Sequence, residues 1–323
     1  MAFTSIKTTP GWSDDAVQAA YSTLFGWELR HGRKFEPLVD FTPKQVPHPG
    51  STVTVQLNNY YSTADVVAAT TPLDEETDVT PTKLPATTPI TFTPVEYGFA
   101  NQSTIFLSKR GLTPVDPVIA TAVAAHCRET IDYLVQTAAR AGTQVVRPAG
   151  RATTGAVVQN ATDYYKATMI RQAVTKLRGN AVSPRDGQFY VGLIHPNAIH
   201  DLREETGSGG WRVPKEYGTD QSDIYNCEFG EFEGVRWISD ATMFRSGDND
   251  GGTSAEVLRG FIMGREALGK CVVSEPTTVL SPVVDKLQRF RGIGWKADLA
   301  YKIYRDKALV RLEGTSSIDS VAV

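Results

Sequence analysis

Apolar and polar residues first alternate with period two just after Gly50. In STVTVQLNNYY, Val53, Val55 and Leu57 alternate with Thr and Gln, the pattern of a half-buried strand. A matching alternation follows in PITFTPVEYG, where Ile90 and Phe92 lie between threonines before Pro94 weakens the strand. About 30 irregular residues separate the two, an excursion too long for an ordinary connection in a compact domain and more typical of a functional segment. Residues 70–98 hold nine Thr and five Pro among twenty-nine. Proline removes backbone donors and threonine is stiff and favours extended backbone, so helix is strongly disfavoured and a straightened arm is expected.

The period then changes to 3.6. In VDPVIATAVAAHCRETIDYLVQTAARAG, Asp116 is placed as N-cap, Pro117 in the first helical position and Gly142 just past the end. Ala120, Ala124, Cys127, Ile131, Leu134, Ala138 and Ala141 recur at spacings of four and three, predicting one apolar seam on a rod of roughly 37 Å. A second helix is expected in ATDYYKATMIRQAVTKLRGN, with Tyr165, Met169, Ala173 and Leu177 on one face and Gly179 as its stop. Short strands are expected in GQFYVGLIHP, FEGVRWISD, VLRGFIMGREA and CVVSEP, with a helix opened by Pro196 in HPNAIHDLREE. The end, GIGWKADLAYKIYRDKALVRLEGTSS, reads as two strands with a turn at RDK. Before all of these, only DDAVQAAYSTLFGWEL reads as helix, opened by Ser13 and Asp14. The large apolar residues around it, Trp12, Phe25 and Trp27 among them, pack either on the chain's own core or on a neighbouring subunit. Helices and strands are mixed without a regular strand-helix-strand repeat, so the class is α+β.

Composition narrows the function. With 323 residues, 41% of them hydrophobic, the chain can bury a substantial core in about two domains. A net charge of -3 gives no electrostatic grip on nucleic acid or an anionic membrane. No apolar run approaches the roughly 20 residues that cross a bilayer, and no leader pattern opens the chain, so a soluble cytoplasmic product is expected. Cys127, Cys227 and Cys271 are odd in number and far apart, which predicts reduced thiols.

Catalytic constellations are absent from the pattern. His195 and His200 are five apart in HPNAIH, the wrong spacing for two ligands on one helix face. His126 and Cys127 are neighbours, so they point about 100° apart on a helix and form no dyad by themselves. SGDNDGG resembles half a calcium loop, but Val257 stands where the bidentate carboxylate belongs. The glycines of RGIGWK and GSGGW complete neither a GxGxxG nor a P-loop. No cofactor, metal or catalytic residue is assigned, and no enzymatic activity is expected.

Charge placement is more telling. Residues 49–100 carry Asp65, Asp74, Glu75, Glu76, Asp78 and Glu96 against Lys83 alone. Residues 285–311 carry eight bases, Lys286, Arg289 and Arg291 first among them, against three acids. Two solvated faces are one reading. The other is an acidic arm that meets a basic surface on a second copy, fixing register and partner choice more than affinity.

The order of these features resembles the major capsid proteins of tailed bacteriophages. It runs from an N-terminal arm through the excursion with PLDEETDVTP, then YGFANQST, then SKRGLTPVDP leading into one long helix. FGEFEGVRWISDATMF is similar to the family's Gly-Glu-x-x-Gly-Val-Arg segment, and FRGIGWKADLAYKIYRDKALVRLE to its closing strands. The resemblance implies an N-arm over residues 1–48, an extended loop over 49–100, a peripheral domain with a spine helix over 101–183, an axial domain over 184–284, and a return to the peripheral domain over 285–323. Where many relatives carry Gly after the Glu of the loop motif, this chain has Glu76 after Glu75.

It further implies hexamers and pentamers closing into an icosahedral head around double-stranded DNA held without sequence-specific contact. The subunit would be built into the virion after assembly in the bacterial cytoplasm, with a portal and a decoration protein as further partners and no membrane. No segment before Phe35 is long or charged enough to act as a built-in scaffold, so a separate scaffolding protein is expected. The expected interface residues are Asp74, Glu75, Glu76, Asp78, Lys83, Trp12, Phe25, Trp27, Lys286, Arg289 and Arg291. Some proteins of the fold weld subunits by a Lys-Asn isopeptide bond; Lys83 is the sole lysine of the loop, and with no partner assigned to it a monomer on a denaturing gel is expected. The competing readings are a cargo-enclosing shell of the same fold, another phage structural module such as a tail-tube or decoration protein, and a hydrolase with a dispersed site.

Overall fold

The computed structural model describes residues 34–43, 52–106 except 60, 62, 71, 74, 77, 79 and 80, 115–205, 228–243 except 242, and 256–318 except 281–286 and 288. The helix expected after Ser13, residues Trp12, Phe25, Trp27, Asp74, Cys227 and Lys286, and the SGDNDGG and GSGGW segments lie outside these ranges.

Eleven strands form three sheets among the described residues. β1 (Val53–Leu57) and β2 (Thr88–Phe92) make an antiparallel ladder in the register Val53 to Phe92 and Leu57 to Thr88. β3 (Val95–Thr104), β10 (Phe290–Ile303) and β9 (Leu268–Leu280) make a second sheet with β10 in the centre. The third sheet runs β4 (Val145–Val146), β11 (Leu309–Gly314), β8 (Leu258–Met263), β5 (Tyr190–Ile194), β7 (Val235–Ser239) and β6 (Glu228–Phe232). Every residue of β5 and β8 is buried, which is why neither alternates and both are apolar except for Arg259.

Four helices accompany them. Within the loop lies α1 (Thr63–Ala68), the long α2 covers Val115–Arg140, α3 covers Ala167–Gly179 and α4 covers Pro196–Glu204. At 26 residues α2 is about 39 Å long. It starts at Val115, which puts Asp116 and Pro117 inside its first turn. Its first half packs Val123, Ala124, Cys127 and Ile131 against Val272, Trp295, Ala297 and Leu299 of the three-stranded sheet. Farther along, Val135 and Ala139 enter the main core beside the six-stranded sheet. The expected seam is therefore corrected beyond Ile131. It continues in steps of four through Val135 and Ala139, while Leu134 and Ala138 are half-buried and Ala141 is exposed. The shift lets one helix serve two cores, because a seam in steps of four drifts around the cylinder.

A second correction concerns Tyr165. It precedes α3, whose buried face is Met169, Ile170, Ala173, Val174 and Leu177. Its phenol instead enters the six-stranded sheet, where it donates to the Leu258 carbonyl at 2.7 Å and accepts from the Gly260 N–H at 3.1 Å. A buried hydroxyl satisfied on both sides ties the turn before α3 to β8. At the sheet's far edge Arg171 on α3 pairs with Glu233, in the turn between β6 and β7, at 2.7 Å.

Candidate intersubunit surface

The loop is rooted by aromatic packing. Phe92, 1% exposed, joins Ile90 and Cys271 in a small core flanked by Phe41, Val53, Val55 and Tyr304. Phe41 stacks on Tyr304 with centroids 3.8 Å apart and planes 6° from parallel. Gly269 completes the seat: a Cβ there would lie 2.9 Å from Phe92 Cζ and 3.2 Å from Phe41. Alternation in β2 thus points Ile90 and Phe92 into the body, as the sequence pattern requires. Lys302 Nζ donates to the Thr91 carbonyl at 3.1 Å and fixes the root to β10.

Beyond the root the loop leaves the body. Leu73 and Leu84 are 77% and 82% exposed, and Val66 and Val67 on α1 are exposed with them. The segment from 81 to 87 carries no regular secondary structure before β2 begins. Within the loop, Asn59 donates to Thr88 Oγ1 at 3.1 Å and Thr87 to Gln56 at 3.0 Å, so polar contacts extend the ladder for one further step. Glu75, Glu76, Asp78 and Lys83 are all exposed. So many apolar side chains in water on one projecting arm mark an interaction surface.

The basic positions divide in two. Arg311 turns inward to Glu313 at 2.9 Å, Arg305 faces Glu266 at 3.9 Å, and Lys302 is engaged with the loop root. Arg289 is exposed, its guanidinium carbon 5.5 Å from the Phe290 ring, and its carbonyl accepts from Ile105 N–H at 2.8 Å. Arg291 pairs with Ser103 at the start of β10. The loop root adjoins Lys302, twelve residues away along β10, or about 40 Å at strand rise. The root of the acidic loop and residues 289–291 thus lie at opposite ends of one long strand.

The three described histidines serve local structure. His195 caps α4, its Nδ1 accepting from Asn197 N–H at 3.2 Å. His200 lies on the same helix within 3.7 Å of Asp201 and 3.5 Å of Glu204. His126 stacks on Phe99, with centroids 4.1 Å apart, and its Nδ1 accepts from the Trp295 indole at 3.3 Å. Cys127 is buried on the adjacent face. Among the described residues no three His, Cys, Asp or Glu side chains converge to hold a metal ion.

Two constellations escaped the sequence pattern. Residues 34–41 are stitched to the body by Asp132, Asp240, Arg185 and Lys270. Glu313 gathers Arg147, Arg259 and Arg311. Apart from Arg311, two residues from Glu313, the partners lie about 50 to 230 residues apart in sequence, and spacing carries no signal over such separations; only the charged residues at otherwise buried strand positions hinted at the second.

A family model described as phage capsid protein matches residues 114–303, more than half of the chain. No curated protein matches it by sequence. Solved structures share its fold at low identity. The capsid asymmetric unit of cyanophage Pam1 aligns with a TM-score of 0.64 at 13% identity, covering 87% of this chain and 89% of that one. The capsid of Ralstonia phage GP4 aligns at 0.62 and 13% identity, covering 89% and 92%. A virus-like particle from Pyrococcus furiosus aligns at 0.56 and 11% identity, covering 92% and 99%. The match across α2, five of the six strands of the larger sheet and two of the three strands of the other shows that the chain belongs to the phage capsid protein family and is a major capsid protein, a structural component of the virion.

Proposed function

We propose that the chain assembles as hexamers and pentamers of an icosahedral head that encloses double-stranded DNA, and that its function is association and not catalysis. The observation that carries this reading is the projecting loop, with Leu73 and Leu84 almost wholly in water on an arm anchored by Phe92. Laid over a neighbour, such an arm buries apolar surface worth about 25 cal/mol per Å2. The contact is heterologous, one surface meeting a different surface of the next copy, and rotation closes it into a ring. The acids Asp74, Glu75, Glu76 and Asp78 would then face bases of the next subunit among Lys286, Arg289 and Arg291. The separation of the two sets along β10 supports such a head-to-tail arrangement.

In this reading the segment with Trp12, Phe25 and Trp27 also lies on a neighbour, and Lys83 stays uncoupled. Assembly takes place in the host cytoplasm with a separate scaffolding protein, a portal and a decoration protein. The test is electron microscopy and sedimentation of the chain co-expressed with the proteins encoded beside it. Closed shells or isolated capsomers are expected. A monodisperse monomer that forms no particles in any combination would overturn the proposal.

A further inference from the structure

Around Lys34 the chain is gripped from two sides. Asp132 on α2, 6% exposed, accepts the Lys34 N–H through Oδ2 at 3.1 Å and the Glu36 N–H through Oδ1 at 3.4 Å. Lys34 Nζ lies 3.3 Å from Oδ1 of Asp240, buried just past β7, and 3.2 Å from the Ser239 carbonyl. Phe35, fully buried, packs edge-on against Phe261 with centroids 6.1 Å apart and walls off the site. Among the described residues the surrounding charges are few. From β9, Lys270 takes up the Glu36 carboxylate at 3.0 Å. On α2 itself, Arg128 and Glu129 lie one turn before Asp132, 3.9 Å apart, and the uncharged Gln136 lies one turn after. Lys34 Nζ, itself about one third exposed, thus pairs with Asp240, while buried Asp132 is held by backbone amides alone and feels the Asp240 charge.

We propose that Asp132, Asp240 and Lys34 form a proton-sensitive clasp that sets how firmly residues 34–36 are held on α2. Burial raises the Asp132 carboxyl from 3.8 to about 6, the N–H groups of Lys34 and Glu36 oppose the rise, and the Asp240 charge adds to it. When the clasp opens, Asp132 meets water and returns toward its ordinary value. The closed form therefore binds a proton, between about pH 4 and 6, that the open form does not. The clasp tightens as pH falls through 6 and is weakest on the plateau above it. A protonated carboxyl keeps acceptor capacity for the two amides and no longer repels Asp240. Asp163 works in the opposite sense. Burial favours its neutral form, but hydrogen bonds from Val158 N–H, Arg151 and Thr162 prevail and hold it below the usual carboxylate range. Its contribution is lost only at lower pH, outside this window. The clasp lies within one subunit and stands or falls independently of the shell reading.

Hydrogen exchange of the full chain, followed by mass spectrometry with intrinsic rates divided out, reads the opening of the amides of residues 34–36 and 38. Exchange is expected to be about tenfold slower at pH 5 than at pH 7. Asp132→Asn, a neutral mimic, should remove this dependence, and Asp240→Asn should move it to lower pH by removing the like charge. A wild-type titration from pH 4 to 7 tests the idea even if a variant does not fold. Flat protection between pH 7 and 5, or an undiminished slope in Asp132→Asn, overturns the clasp.

Discussion

Glu313 sits among three guanidiniums where β11 meets β8 and the turn after β4. It is 1% exposed; Arg147 Nε reaches Oε2 at 2.7 Å and Thr154 donates to the same oxygen at 2.8 Å. Arg311 Nε lies 2.9 Å from Oε1 but out of line for a hydrogen bond, and Arg259 Nε lies at 3.7 Å. Arg311 also donates to the Arg140 carbonyl at the end of α2, joining the sheet to that helix. Burial pulls the Arg311 guanidinium below its usual range, Glu313 pushes it back up, and Arg259, Arg147 and Arg140 add to the lowering. One carboxylate thus offsets several buried cations. Glu313→Gln keeps the shape and removes that charge, so it should destabilise the subunit by about 3–5 kcal/mol, the cost of leaving buried charge without its counter-ion. Denaturant unfolding of the soluble subunit measures it; a loss under about 1 kcal/mol would mean that water or rearrangement replaces the carboxylate. The sequence shows Arg311 and Glu313 only as polar residues in a strand. Their enclosure depends on Arg147 and Arg259, brought together by strand pairing.

At the level of elements, legibility follows periodicity. β1, β2, the inward face of α3 and the first half of α2 are visible because one face of each is buried and the other wet. β3 is not, because nine of its ten residues are exposed or half-buried without alternation. Its strand state comes from ten backbone pairs with β10, a property of the partner. The loop itself was legible as a stiffened excursion from its Pro and Thr content, yet its anchorage was not, since Phe41, Gly269 and Tyr304 come from three distant segments. That anchorage gives a prediction. Phe92→Ala should cost about 3–5 kcal/mol of local packing, and the loss should fall on the loop root, because this small core is separate from the two that hold the body. Limited proteolysis should cut the loop much faster in the variant while the near-ultraviolet signal of the body persists. Equal cleavage of loop and body would show that the three cores unfold as one.

For the molecule as a whole, the decisive relation is between its two ends. β10 runs from the exposed Arg289 and Phe290 to Lys302 at the loop root, and the acids lie farther out on an arm whose apolar residues find no cover within the described residues. The loop root and the 289–291 bases, about 40 Å apart along β10, are several Debye lengths distant at physiological salt and interact weakly within one subunit. Opposed across a boundary between copies, the acids and bases lie close enough to steer docking and fix register. Reversing Asp74, Glu75, Glu76 and Asp78 to Lys places like charges against the bases of the next copy. Each exposed pair is worth roughly 0.2–1 kcal/mol, so four reversals should raise the concentration needed for assembly by about tenfold or more at low salt. The difference should shrink toward 1 M salt, where the screening length falls to about 3 Å. Sedimentation of assembly reactions over a salt series measures both effects. Assembly that matches the wild type at low and high salt would remove the acidic loop from the contact and leave its apolar residues, Leu73 and Leu84 foremost, as the attachment.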